Sequence, residues 1–404
     1  MKKNDKFILI VFLIIIFGIF ACYPIKIVEE IFGIVEKNND GTWKTYDSDA
    51  TLIDKIKINI DNRVTNYFPG YSKITELFKN TNEKINEKIY DLFDVEYIPA
   101  GTNSDGEYLI KDLKNNAYYA FSNHSNEILE DKLNNQINFW NSLYEANSNI
   151  NFSIYLPNRL ELQKNIQNVQ NYRDMSIYVD KFISSLNPNI KVKSLTLNNI
   201  EEYNKYFYKS DHHWNMYGAL VGYEEIMNLL SHNNYSKYEV EEHNINFFGS
   251  FSRTTRNKEI YDKFYTVKDY NKNYKVLVNN DKAPSNFQPL SFENLNKKKS
   301  DFYDWYVGYF YGLYGNVVYD FNDESKSNLL IISDSYAWQI DYLIASNYNK
   351  THVINIMYDE YLKSPLNYTK YIEENQIDDV LILQEGITTI FDSFNHNFNE
   401  KVVW

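Results

Sequence analysis

Two short stretches of this sequence carry the residue types that acyl chemistry needs. Ser210-Asp211-His212-His213-Trp214 sets a carboxylate and an imidazole two residues apart. Far downstream, Leu329-Leu330-Ile331-Ile332-Ser333-Asp334-Ser335-Tyr336-Ala337 runs an apolar strand into a serine. A serine hydroxyl is a poor nucleophile at neutral pH unless an imidazole takes its proton as it attacks. A carboxylate on the other ring nitrogen fixes the tautomer and stabilises the imidazolium that forms. Asp211, His213 and Ser335 are therefore read together as a Ser-His-Asp triad. Each stretch alone has a plainer reading. Asp211 can cap the helix that follows, with His212 and His213 as first-turn polar residues. Ser335 can likewise be a cap, with Asp334 complementing the helix dipole. A metal centre is not expected, because three consecutive side chains do not readily face one ion and no further ligands cluster near His232 or His243.

The elements around these stretches decide whether they can meet. Ser335 sits where a strand ends and a helix begins, the edge at which open α/β sheets bind ligands. A helix start also offers backbone N–H groups to an oxyanion. The Asp-His stretch opens a helical pattern with Tyr217, Leu220, Val221, Ile226, Leu229 and Leu230 facing inward. Upstream, Ser125 can cap a helix carrying Leu129, Leu133, Ile137, Trp140 and Tyr144, and a strand over Phe152–Leu156 stops at Pro157. A second helix (Tyr178, Phe182, Ile183, Leu186) leads to a strand over Ile190–Leu197. The end of the chain alternates in the same way: strand 328–332, helix 337–347, strand 352–356, helix 366–374, strand 380–384. Such alternation predicts an α/β fold with a mostly parallel sheet. The stretch 232–326 is polar, irregular and aromatic, with no clear element. A turn over Ala100–Gly106 and a strand-like Tyr108-Leu109-Ile110 mark where the globular domain starts.

Composition bounds the partners. The 404 residues hold 44% hydrophobic and 24% charged residues, a globular balance. A net charge of -13 argues against nucleic acid, which needs clustered Lys and Arg. The 37 Tyr and 25 Phe are more than a core requires, and tyrosine suits carbohydrate surfaces. The single cysteine, Cys22, excludes an internal disulfide. At the N-terminus, Lys2, Lys3 and Lys6 precede an uncharged run from Phe7 to Ile25. As a helix that run would span roughly 28 Å, the thickness of a bilayer core. The basic flank predicts a signal anchor with the C-terminal bulk outside the cytoplasm. Ile19-Phe20-Ala21-Cys22 also approximates a lipobox, so lipidation at Cys22 is an alternative, and cleavage a third. Residues 26–95 read as a helical juxtamembrane stalk or packing arm.

Asp-His-His-Trp followed by Tyr217-Gly218-Ala219, and much later Asp334-Ser335-Tyr336, resembles the DHHW family, related to the periplasmic alginate O-acetyltransferases of the SGNH hydrolase-like superfamily. The resemblance implies a circularly permuted SGNH-like catalytic domain over residues 96–404, with Asp-x-His ahead of the serine block. It makes Asp211 the orienting acid, His213 the base, Ser335 the nucleophile and His212 a support residue. Phe247-Phe248-Gly249-Ser250 resembles a Phe-x-Gly-Ser/Thr turn in which Gly249 lends an oxyanion N–H, though Gly-Ser is also an ordinary turn. Tyr303-Asp304-Trp305-Tyr306, with Tyr309, Tyr311 and Tyr314, resembles an aromatic segment ahead of the serine block, in which Tyr303, Trp305 and Tyr309 could be a sugar platform or buried packing. Gln384 and Glu385, at the end of the last strand, are either substrate contacts or core. Ser333 stands where the superfamily has glycine, and no counterpart of its oxyanion asparagine is identified. The implied activity is acetyl transfer to a cell-surface or secreted polysaccharide through an acyl-enzyme, without a cofactor or metal. A membrane-bound O-acyltransferase is the implied acyl supplier. The same residues would serve a carbohydrate acetylesterase, and a non-catalytic glycan-binding or assembly protein is the reading from another class.

Overall fold

The structure is a computed structural model that describes residues 71–92, 96–103, 106–166, 173–268, 270, 274–283, 301–310, 314–358 and 366–391. Phe7–Ile25 and Cys22, on which the anchor and lipidation expectations rest, lie outside the described residues. Among the described residues, no helix is long and apolar enough to cross a membrane. The chain divides into two compact units, Met1–Asn82 and Glu83–Trp404.

The frame of the larger unit is an eight-stranded sheet. Its parallel half joins β4 (Asn151–Leu156), β5 (Lys191–Ser194), β11 (Asn328–Ser333), β12 (Lys350–Asn355) and β13 (Asp379–Leu383) in the order β5-β4-β13-β11-β12. Beyond β12 the sheet continues antiparallel through β10 (Asn316–Asp320), β8 (Lys275–Val278) and β9 (Asp281–Lys282). A separate antiparallel sheet joins β1 (Tyr97–Thr102), β2 (Tyr108–Asp112) and β3 (Ala117–Phe121), and a two-stranded ribbon pairs β6 (Val240–Phe247) with β7 (Asp262–Val267).

The central strands read as unbroken apolar runs because both of their faces are covered. Leu329 and Ile331 of β11 enter one core cluster, and Leu330 and Ile332 enter the other. Strand β13 divides in the same way, Leu381 and Leu383 to one side, Val380 and Ile382 to the other. One face is covered by helices Asn126–Ala146, Ser176–Ser185, Tyr368–Glu374 and Gly386–Phe391, the other chiefly by Ile200–Tyr206, Met216–Leu229 and Trp305–Tyr309. The first of these begins where expected, with Ser125 Oγ accepting from the Ile128 N–H at 3.4 Å.

Several expectations are corrected. The helix after the Asp-His stretch is capped by Asn215, whose side chain accepts from the Tyr217 and Gly218 N–H groups at 3.0 and 3.2 Å, and not by Asp211. Tyr217, expected inward, is 41% exposed. The segment after Ser335 is not one helix: a 3-10 turn over Ser335–Gln339 breaks at Ile340 (φ −136°, ψ −4°) before a short helix, Asp341–Ala345. The stretch 232–326, which showed no clear pattern, supplies β6 to β10. Charged and polar residues interrupt these strands, as in Val240–Phe247 and Asp262–Val267, so neither strict alternation nor a long apolar run betrays them.

Candidate active site

The two chemical stretches come together at the carboxyl edge of the parallel strands, each folded by an aspartate. Between Tyr206 and Asn215 the chain doubles back through a bridge between Phe207 and Trp214, a bond from the Tyr208 N–H to the His213 carbonyl (3.1 Å), and one from the Asn215 N–H to the Tyr206 carbonyl (2.8 Å). At its tip Asp211 Oδ1 accepts the His213 N–H at 3.0 Å, an Asx turn. That turn brings the imidazole back over the same carboxylate, with Nδ1 at 2.6 Å from Oδ1. The second aspartate works identically. At the end of β11, Asp334 Oδ1 accepts the Tyr336 N–H at 2.9 Å, and Oδ2 accepts the Glu385 N–H at the end of β13 at 2.8 Å. Ser335 is thereby held in the turn with its Oγ 2.7 Å from His213 Nε2. Asp211 and His213 are buried, whereas Ser335 is partly open to solvent.

The Phe-Gly-Ser turn lies behind Asp211. The Ser250 N–H donates to Asp211 Oδ2 at 2.5 Å, completing the carboxylate's partners. Gly249 is there for space. A Cβ at this position would stand 2.3 Å from Asp211 Cβ and 2.5 Å from the Ser210 carbonyl oxygen. Its N–H is already donated to Ser210 Oγ at 3.0 Å, so the oxyanion role expected of Gly249 is not available in this arrangement. His212 turns toward the start of the helix Ser250–Thr255, with Nδ1 2.9 Å from Ser250 Oγ. Burial, then His213 and Arg159, push the His212 imidazole down to about 3, so it is neutral at physiological pH. Burial opposes ionisation of Asp211, but the two neighbouring imidazoles and the His213 hydrogen bond hold it well below the usual carboxylate range. Asp334, by contrast, is pushed up to about 6 by burial.

The ligand-type atoms of Asp211, His212 and His213 gather within 4.8 Å of one another, closer than adjacency in sequence suggested. Their short contacts are with each other and with Ser250 and Ser335.

The aromatic segment divides. Trp305 and Tyr309, four residues apart on the helix Trp305–Tyr309, are both buried and pack on Phe264 of β7 with ring centroids 6.4 and 5.4 Å away. Tyr303 packs edge-on to Trp305 at 4.9 Å and lies where a Cβ on Gly308 would meet its hydroxyl. Trp305 and Tyr309 are core, and Tyr303 is a half-buried residue packed against it, so the three do not form an open sugar platform. The residue of this segment that reaches the site is Tyr306, which the aromatic run contains but does not distinguish from its neighbours. Its phase is set by Asp304, whose carboxylate accepts the Val307 N–H at 3.1 Å and pairs with Arg253 at 2.7 Å.

Glu385 takes the second of its two alternatives, core rather than open substrate contact. Its side chain is buried and in ion-pair contact with Arg159 Nε. The same guanidinium bonds Glu161 Oε1 at 2.8 Å and both oxygens of Glu107. Burial pushes Glu107 up, but Arg159 more than offsets this and leaves it at about 2. With one guanidinium among three carboxylates, burial and the neighbouring charges raise Glu385 instead. Gln384 is buried and accepts from Thr389 Oγ1 at 3.4 Å, a core position. Nothing in the local sequence announces this cluster, because Glu107, Arg159 and Glu385 come from three separate segments.

The protein is thus a mixed α/β domain with a hydrogen-bonded Asp-His-Ser chain at the carboxyl edge of its parallel strands. In fold, the chain is similar to PatB1 of Bacillus cereus, solved with a sulfonyl adduct: TM-score 0.57 at 19% identity, covering 72% of this chain and 98% of that one. A second PatB1 structure gives 0.51 at 20% identity over 72% and 99% of the two chains. A DHHW family protein from Eubacterium siraeum gives 0.52 at 17% identity over 73% and 94%. The likeness suspected from Asp-His-His-Trp is thus present as a shared fold. No protein-family model and no curated protein matches the sequence.

Proposed function

We propose that this protein is a serine O-acyltransferase that moves an acetyl group onto a polysaccharide outside the cytoplasm. What carries the reading is the unbroken chain from Asp211 through His213 to a partly exposed Ser335, with contacts of 2.6 and 2.7 Å. In the first half-reaction Ser335 Oγ attacks the donor's acetyl carbonyl while its proton passes to His213 Nε2. Asp211 holds Nδ1–H and offsets the charge of the imidazolium. Collapse of the tetrahedral intermediate expels the donor's leaving group, which takes the proton back, and leaves an acetyl ester on Ser335. In the second half-reaction a sugar hydroxyl gives its proton to His213 Nε2 and attacks that ester. Breakage of the Ser335 ester bond returns the proton to Oγ, and the acetylated sugar departs. Every group in this cycle is a side chain of the chain or a reacting substrate.

Three further parts belong to the same reading. The domain over 96–404 is a permuted SGNH-like catalytic domain. Phe7–Ile25 anchors it to the membrane, with residues 26–95 as the stalk. A membrane-bound O-acyltransferase delivers the acetyl group. The PatB1 structure carries a sulfonyl adduct, and because sulfonyl transfer captures activated nucleophiles a sulfonyl fluoride is a second probe for Ser335.

The test is turnover of 4-nitrophenyl acetate with and without oligosaccharide acceptors, with acetylated products read by mass. Acceptor-dependent sugar acetylation is expected, falling about 10³-fold or more in Ser335→Ala and His213→Ala. Release of acetate alone at every acceptor concentration would make the protein an esterase. Turnover retained by Ser335→Ala would contradict the nucleophile outright, and no turnover in the intact protein would favour a glycan-binding role.

A further inference from the structure

We propose that Tyr306 is a positioning residue of this site, clamping the base and the nucleophile together and favouring the charged form of His213. The inference rests on the acyl-transfer reading above, and it stands on two contacts made by one side chain. The Tyr306 ring lies on the His213 imidazole with centroids 4.0 Å apart and an interplanar angle of 15°. Its hydroxyl donates to the carbonyl of Ser335 at 2.8 Å. Tyr306 therefore touches both halves of the catalytic pair from a third element, and the residue is 2% exposed.

The geometry of the stack is what gives it chemical content. Two neutral aromatic rings prefer an offset or edge-on approach, because a close parallel arrangement sets like quadrupoles face to face. An imidazolium over a tyrosine face is attracted by that same quadrupole. The contact is thus more favourable once His213 has taken the Ser335 proton than before. An interaction stronger in the transition state than in the ground state lowers the barrier. The hydroxyl has a separate effect. It fixes the first carbonyl of the 3-10 turn, and so the direction in which Oγ points. The clamp is itself held. Asp304 caps the Tyr306 helix and pairs with Arg253 at 2.7 Å, on the helix Ser250–Thr255 whose first N–H binds Asp211. Burial keeps the Tyr306 phenol well above its ordinary range, so it remains a neutral donor throughout the working pH range.

The test compares Tyr306→Leu and Tyr306→Phe with the intact protein by NMR titration of the His213 ring and by the pH profile of kcat/KM for 4-nitrophenyl acetate. The other groups around His213 are constant in all three: Asp211 and His212 from its own loop, and Asp334 and Tyr336 from the turn after β11. In Tyr306→Leu the His213 titration and the acid limb should both fall by about 0.5–1 pH unit, with about a 10-fold loss of kcat/KM. Tyr306→Phe keeps the ring, so it should restore the titration while remaining several-fold slower. An unchanged titration in Tyr306→Leu overturns the proposal, even where turnover still depends on Ser335. If the intact protein shows no Ser335-dependent turnover, the acyl-transfer reading fails, and the titration alone decides the role of Tyr306. Should Tyr306→Leu not fold, Tyr306→Phe decides: a slower enzyme with an unchanged titration supports the clamp, and an unchanged rate removes it.

Discussion

Asp211 occupies both of its carboxylate oxygens with N–H donors, and this explains why a carboxylate and not an amide stands there. Oδ1 takes the backbone and ring N–H of His213, and Oδ2 takes the Ser250 N–H. Asparagine has one acceptor oxygen and one donor nitrogen, so Asp211→Asn must point an NH₂ group at an N–H. Either the imidazole loses its orienting partner or the Ser250 bond is lost. The expected result is a fall in kcat of about 10²–10⁴-fold with KM little changed, read from steady-state ester turnover. A fall of less than about threefold would mean that Asp211 only shapes the loop. The residue scale was the most legible in the sequence. Aspartate two before histidine is a spacing that an Asx turn closes, and a serine after an apolar run is a strand-end residue. The roles of Tyr306, one of several rings in the aromatic run, and of Arg159 were not legible, because a ring or a guanidinium declares its partner only through long-range packing.

At the scale of elements, the site is a junction of two turns and a helix start. The chain around Asp211 is braced from behind by Gly249-Ser250, which can approach only because Gly249 lacks a side chain. Gly249→Ala would set a methyl group 2.3 Å from Asp211 Cβ and 2.5 Å from the Ser210 oxygen, a clash with backbone that no rotamer relieves. Either β6 retreats and Ser250 lets go of Asp211, or the Asp-His loop shifts away from Ser335. A misplacement of about 1 Å in such a site costs on the order of 10²-fold in rate, and overpacking costs about 1–3 kcal/mol in stability. Steady-state kinetics and urea unfolding of Gly249→Ala measure both. Full activity would show that the Phe-Gly-Ser turn is not a brace. The glycine itself was visible in the sequence, but its purpose was not. Glycine at a turn is compatible both with an N–H aimed at an oxyanion and with a space for a neighbour, and the bond to Ser210 Oγ distinguishes them. Trp305 and Tyr309 failed as platform residues for a related reason: aromatic residues four apart on a helix share a face, and here that face meets Phe264.

For the domain as a whole, the two-sided core around β11 and β13 was readable from their apolar runs. The antiparallel extension through β10 and β8 was hidden in a stretch with no period. One feature of this core gives the domain a pH dependence of its own. Asp341, which follows the Ser335 turn, is fully enclosed; its Oδ1 accepts from the Tyr342 N–H at 2.6 Å and the Tyr319 hydroxyl at 3.2 Å, and burial pushes it up to about 8. A carboxyl raised on folding binds its proton more tightly in the folded than in the unfolded state. Stability is therefore lost as pH rises from the unfolded value near about 3.9 toward the folded value, and is level above it. Asp341→Asn removes this slope. Its stability relative to the unsubstituted protein, read by urea unfolding, should climb steadily from about pH 4 to about pH 8, by roughly 3–6 kcal/mol. A difference independent of pH would show that Asp341 is ionised in the fold.

The most direct measurement is the intact mass of the protein after exposure to an activated acetyl ester or a sulfonyl fluoride, followed by peptide mapping. One added group on Ser335 is expected, absent from Ser335→Ala and strongly slowed in His213→Ala. Ester turnover that persists in Ser335→Ala, or a label on another residue in the intact protein, would contradict the nucleophile on which the proposed cycle depends.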